Sequence, residues 1–271
     1  MPQKRVSAGK AVYREKRRIA QLRSHTVVKA NALIQNSRYN LSVQEQRIIL
    51  YMISRIEPGD TDFRTVSFSV QDFCKICGID FDNGGNYRNV KDAIKSLSDK
   101  SVWVTSGDKE ILLRWIYSAE INKKSGNLSI RISDDVKPYL LQLKSRFTKY
   151  ELIYTLAMKS QYSIRLYELL KSYEYRGTAE FGLEELKRLA GAETYERMDN
   201  LRARVLDIAV GEINRLTDIS IAYTMTRQGR KYSNVVFTVK TKKELGERIE
   251  TWSNIENAIA SPKEVFEVIQ I

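Results

Sequence analysis

Arg197, Asn200, Arg202 and Arg204 stand within one eight-residue stretch. A guanidinium can grip the O6/N7 edge of guanine through two parallel hydrogen bonds, and an asparagine carboxamide can do the same for adenine. A second cationic group, Arg227, Arg230 and Lys231, surrounds Gly229. Cations on a turn suit phosphate oxygens, contacts that position a protein without specifying a sequence. An earlier set, Asn86, Tyr87, Arg88 and Lys91, is less cationic. Spacing alone leaves two readings of these groups open: side chains that face bases and phosphates, or a solvated helix face.

Covalent and metal chemistry have less to work with. A single histidine, His25, excludes a site built on two His ligands from one chain and disfavours a His-based triad. The two cysteines form Cys74-x-x-Cys77, half of a zinc site or a redox pair, with no second pair to complete a zinc site. Gly9-Lys10 lacks the preceding glycine of a phosphate-binding loop. The 15 tyrosines leave a nicking tyrosine open by count, but the His-based metal site that usually serves one is missing. These residues predict a binding protein with no catalytic residue, metal or cofactor.

Charge names the class of partner. Among 271 residues, 45 Lys+Arg against 33 Asp+Glu leave a formal charge of +12. Such a balance favours nucleic acid first and an anionic membrane surface second. Residues 1–29 carry nine basic side chains and one acid, Glu15, whereas residues 244–271 carry six acids and two bases. The body between them is therefore basic without help from its tails. The basic start reads either as a flexible, phosphate-seeking arm or as a solubilising leader. The acidic tail reads either as a helix packed on the body or as a contact for other proteins. The longest apolar run, Ile48 to Ile53, is far short of the ~20 residues of a membrane span. No apolar leader segment follows the charged start, so a cytoplasmic protein without a membrane partner is expected.

The elements that must carry these side chains come in two similar series. Residues 42–56 read as a helix with Ser42 and Glu45 at capping-box spacing, and 65–69 as a short strand. A helix over 70–77 ends at Gly78, with Val70, Phe73, Cys74 and Cys77 on one face. A further helix over 86–99 turns Val90, Ala93, Ile94 and Leu97 inward. Strands follow at 101–105, 110–121 and 127–133, with a turn from Lys123 to Asn127. The second series runs helix 160–175, strand 179–182, helix 183–190 ending at Gly191, a long helix over about 198–216, and strands 218–226 and 234–240 around the basic turn. In the long helix Leu201, Val205, Ile208, Ala209, Ile213 and Leu216 form one apolar stripe.

Phe68 to Gly78 aligns with Phe181 to Gly191 at constant offset, and Leu50-Tyr51 with Leu166-Tyr167 at a similar one. The alignment sets Lys187 and Ala190 opposite Cys74 and Cys77, so the second copy builds the same helix without sulfur. The cysteines therefore read as small buried fillers. Helix, short strand, helix, helix and hairpin is the order of a winged helix, whose second paired helix enters the major groove while the hairpin reaches the backbone. The expected class is α+β, two tandem winged-helix domains related by internal duplication. The expected divisions are a basic, flexible arm at 1–25, a first winged helix at 26–137 for DNA contact, a second at 138–243 as main DNA reader, and an acidic tail at 244–271.

Several motifs stand in order on this frame: Asn31-Ala-Leu33 leading to Leu41-Ser42 and Glu45-Gln-Arg47, then Ser163-Ile-Arg-Leu-Tyr-Glu-Leu-Leu170. Tyr195-Glu-Arg197-Met198, Leu201-Arg-Ala-Arg-Val-Leu206 and Glu212-Ile-Asn214 continue them. In these motifs, over roughly residues 26–241, the sequence resembles the replication initiator (Rep) family of iteron-controlled plasmids, which includes the F-plasmid initiator. The resemblance implies monomers that bind direct repeats (iterons) in double-stranded origin DNA, with both winged helices on one face. It implies local melting and recruitment of the host replication initiator and helicase machinery. It also implies homodimers in equilibrium with monomers, formed chiefly through the first domain, that bind an inverted repeat and repress their own gene. A movable hinge from Pro138 to Lys149 belongs to the same implication. The family's reading helix matches at Arg197, Arg202 and Arg204, while Ala203 replaces an arginine of some relatives and bears on base preference. A dimeric transcriptional repressor on the same domains is the rival reading, and a tyrosine nicking initiator the enzymatic one.

Overall fold

Residues 2–79 and 85–259 are described by the computed structural model, with the side chains of residues 2–11 and of Asn86 outside that description. The chain opens with α1 (Pro2–Arg23) and enters the first winged helix through β1 (Thr26–Ala30), α2 (Asn31–Gln35) and β2 (Ser37–Arg38). Then come α3 (Val43–Ile53), β3 (Val66–Ser69), α4 (Val70–Cys77) and α5 (Gly85–Asp99). Ser42 starts α3 as its spacing predicts: the hydroxyl accepts from the Glu45 amide while the Glu45 carboxylate accepts from the Ser42 amide. Four strands complete the unit: β4 (Ser101–Ser106), β5 (Lys109–Arg114), β6 (Ile116–Ile121) and β7 (Asn127–Ile132). The run expected as one strand over 110–121 is broken at Trp115. This side chain is fully buried, and the chain changes sheets there: β5 pairs with β4 beside β2, whereas β6 pairs with β7 beside β3.

Next come α6 (Lys137–Leu140), β8 (Phe147–Glu151), α7 (Ile153–Leu156), α8 (Gln161–Lys171), β9 (Thr178–Gly182) and α9 (Leu183–Ala190). A long helix follows as α10 (Met198–Leu201), a π-helical segment (Arg202–Leu206) and α11 (Asp207–Leu216). The hairpin β10 (Ile219–Gln228) and β11 (Lys231–Thr241) joins β9 in one antiparallel sheet. Both units thus run helix, strand, helix, helix, hairpin, and the duplication read from the sequence holds. The copies also share a stop signal: α4 and α9 end on Gly78 and Gly191, at φ of 64° and 68°, a left-handed conformation open to glycine at little cost. The hairpin β4–β5 has no counterpart in the second copy.

The two units share a core. β1 and β8 pair antiparallel from Thr26↔Glu151 to Ala30↔Phe147, so the chain beyond residue 138 first returns to the opening strand of the other unit. Beneath this ladder Lys29 meets Glu168 at 2.6 Å, both side chains almost wholly buried. Tyr150 donates its hydroxyl to the same carboxylate. Arg165 donates to the Leu189, Ile34 and Ser37 carbonyls at 2.7, 2.7 and 3.0 Å and lies over the Tyr39 ring. Within the connecting stretch, Gln142 and Arg146 take φ of 51° and 52°, each a strain of about 1–3 kcal/mol for a residue with a side chain.

The ends of the chain depart from a simple pair of tails. Instead of a flexible arm, residues 2–23 form α1, with Ile19 buried and Leu22 packed on the core. In the acidic tail, α12 (Leu245–Ile259) buries Thr251, Ile255 and Ile259, which matches the packed-helix reading over those residues. Residues 260–271 of that tail lie outside the described residues. Ile259 reaches the end of α4, where a Cβ on Gly78 would stand 2.3 Å from its carbonyl oxygen. Gly78→Ala is therefore expected to cost about 1–3 kcal/mol, combining left-handed strain with displacement of α12. Gly59→Ala, with nothing within 4 Å, should leave the urea midpoint near that of the wild type.

Candidate nucleic-acid interface

The long helix of the second unit carries the first cluster. Arg197 is its N-cap residue, in an extended conformation, and Arg197, Asn200, Arg202 and Arg204 are all exposed. The face they leave free is set by the π segment. One wider turn shifts the buried stripe, so Leu201, Val205, Leu206, Ala209, Ile213 and Leu216 face inward. Ile208, which regular α spacing predicts inside, is 42% exposed, and Leu206 takes its place in the core.

Positions 197, 200 and 204 keep i, i+3, i+7 spacing, whereas Arg202 turns toward the hairpin. It lies beside Tyr223 on β10, whose hydroxyl donates to Asp207 at 2.7 Å.

The second cluster lies at the far end of the same hairpin. Arg227 stacks over the Tyr232 ring at 4.4 Å and donates to its hydroxyl at 2.7 Å. The ladder slips by a bulge between Thr226 and Arg227, a local kink that re-aims the tip. Beyond it Gly229 adopts φ of 64°, and Arg230 and Lys231 are exposed. At ~3.3 Å per residue the tip extends about 20 Å past Tyr223.

The first unit repeats the plan with fewer cations. Arg88 and Lys91 are exposed on α5. Tyr87 is half-buried against the core, one turn before Val90 on the packed side. Asn86 lies in α5 with its side chain outside the described residues. The hairpin turn of this unit brings in two cations that were not counted among the candidates. Lys123 and Lys124 are exposed between β6 and β7, where Asn122 accepts from the backbone amides of Lys124 and Ser125 at 3.0 Å. Their signal was present in the sequence, in the same place of the repeat as Arg227 to Lys231.

Cys74 and Cys77 are buried on the inner face of α4. Burial pushes the thiols up to about 11 and about 12 respectively, disfavouring the thiolate that redox exchange or metal binding needs. Among the described residues no group of three or more His, Cys, Asp or Glu is placed to hold a metal ion, and no helix is long and apolar enough to cross a membrane.

The family model for the initiator replication protein WH1 domain matches residues 26–171, and that for the initiator Rep protein WH2 domain matches residues 182–239. The chain belongs to the initiator replication protein family. The first match runs to the end of α8 and the second begins at the end of β9, so α6 to α8 fall within the family's first domain. An Escherichia coli replication initiation protein is 26% identical over 231 residues, covering 81% of this chain and 71% of that one. The Escherichia coli PI protein is 29% identical over 146 residues, 46% of this chain and 47% of the relative. Among solved structures, the Pi initiator protein in complex with iteron DNA superposes with a TM-score of 0.67 at 21% identity, over 82% of this chain and 99% of that one. In this initiator, α1 and α12 lie outside both family matches.

Proposed function

We propose that this protein initiates plasmid replication by binding direct repeats (iterons) of an origin through both winged helices, opening the adjacent duplex and contacting host replication proteins. The reading assigns it no catalytic centre and a place in the cytoplasm. The observation that carries it is the second domain: four exposed polar side chains at the start of a helix, with a cationic hairpin tip beside it. That arrangement supplies both base readout and phosphate positioning. It stands on a fold shared with an initiator solved on iteron DNA. The second domain is the main reader, and the first adds contacts through Arg88, Lys91 and the Lys123–Lys124 turn.

A homodimer in equilibrium with the monomer belongs to the same proposal, with autorepression as its role. On the extra hairpin β4–β5, Trp103 and Leu112 are cross-strand neighbours, 42% and 52% exposed. Two large apolar side chains on one solvent face of a short sheet favour a protein contact there.

The test is binding to a duplex carrying the direct repeat and to a shuffled duplex of equal length, each over a series of salt concentrations. The wild type should prefer the repeat and weaken steeply with salt. Arg230→Ala should weaken both duplexes alike and reduce the salt slope by about 1. A loss confined to the repeat would make Arg230 a base reader and contradict its placement on phosphate.

A further inference from the structure

The N-terminal helix is held along the first domain by a specific set of contacts. Arg23 donates to the Ile76 and Lys75 carbonyls at the end of α4, at 2.9 and 2.7 Å. Arg18 pairs with Asp72, in the first turn of α4, at 2.6 Å. Glu15, the one acid of α1, is taken up by Arg18 and Lys75 at 2.9 and 3.1 Å, and their hydrogen bonds hold its carboxyl down at about 2. The contact order shows that α1 and α4 run in the same direction. Glu15 still reaches Lys75, so it is the part of α1 before Glu15 that extends past the N-terminus of α4, by up to about 20 Å at 1.5 Å per residue. At that same end, the Val70 amide donates to the Gly126 carbonyl in the turn that carries Lys123 and Lys124.

The docked face uses up Glu15, Arg18 and Arg23, and leaves cations on the other side. Arg14, Lys16 and Arg17 are exposed beside exposed Tyr13, and none has an acidic partner among the described residues. In a helix-turn-helix the first helix of the pair crosses the DNA backbone; here that helix is α4. A cationic helix laid along α4 would therefore lie near the backbone that such a first helix crosses.

We infer that α1 is a third DNA-binding element, whose Arg14, Lys16 and Arg17 grip the sugar-phosphate backbone outside the repeat read by the two winged helices. The inference rests on the DNA-binding reading above and adds a site that lies outside both family matches. Such contacts neutralise phosphates without reading bases, so they raise affinity and salt dependence equally for every sequence.

The experiment compares the full-length wild type with the Arg14→Ala/Lys16→Ala/Arg17→Ala variant on four duplexes. Two carry the repeat and two a shuffled sequence. Within each pair one duplex is trimmed to the repeat and one extends about one helical turn, ~10 bp, on both sides. The three side chains make no hydrogen bond or ion pair among the described residues, so the variant should keep the wild-type thermal midpoint. On both extended duplexes it should bind roughly 10-fold more weakly at moderate salt and lose about 2–3 units of salt slope. On the trimmed duplexes the two proteins should differ little. An unchanged slope on both extended duplexes would overturn the inference. So would an unchanged slope accompanied by loss of binding to phosphatidylserine vesicles, which would make α1 a membrane contact. A wild type that fails to prefer the repeat contradicts the initiator reading alone, because the slope comparison on shuffled DNA still decides the role of α1.

Discussion

Replacing Arg204 by alanine should lower affinity for the cognate repeat by roughly 5- to 150-fold, the equivalent of about 1–3 kcal/mol, and relax discrimination at one base pair. Arg204 is exposed in the π segment and makes no hydrogen bond or ion pair among the described residues. Its loss therefore leaves folding intact, and the effect falls on binding alone. Arg202 should show a loss of similar size. Isotherms on the repeat and on shuffled DNA measure both losses. Equal losses on both duplexes for Arg204→Ala would place it on phosphate and sink the reading-helix assignment.

Glu168→Leu should be the most damaging single substitution for stability. It leaves Lys29 without its partner at 2.6 Å, inside a region where Arg165 is also buried. Breaking a buried pair in this way costs about 3–5 kcal/mol, much of the 5–15 kcal/mol that holds a typical domain folded. The cost should appear as a lower urea midpoint, read at equal protein concentration because a dimer would shift it. Lys29→Met combined with Glu168→Leu should recover only part of the loss, since the buried ammonium is gone while the buried Tyr150 hydroxyl still lacks its acceptor. Lys29 opens the first unit and Glu168 lies on α8, so Glu168→Leu should also loosen the junction between units. A Glu168→Leu protein within 1 kcal/mol of the wild type would show that the pair contributes little to the shared core.

Much of the architecture was legible because it was written twice. The capping box at Ser42, the stops at Gly78 and Gly191 and the helices that follow them come from local rules that act within a few residues. What escaped depends on contacts far apart in sequence. Lys29, Arg165 and Glu168 are charged and would ordinarily read as surface; only the meeting of β1, β8 and α8 buries them. The π segment replaced Ile208 by Leu206 in the core, and periodicity at 3.6 residues per turn has no means of registering one wider turn. Trp115 broke a continuous strand pattern because its indole is buried at the change of sheet, a tertiary demand invisible in the alternation. The N-terminal stretch misled for a related reason. Its mean charge resembles that of a disordered arm, whereas Ile19, Leu22 and the Arg18–Asp72 pair hold it as a helix on α4. Lys123 and Lys124 were legible and passed over, although the repeat put them in the position of Arg230 and Lys231.

The central claim is that two winged helices read direct repeats. A DNase footprint of the purified protein on the DNA flanking its own gene, at two salt concentrations, tests it most directly. Several protected direct repeats of equal spacing, fading steeply as salt rises, are the expected result. A single protected palindrome over a promoter, or no protection at either salt, would contradict it.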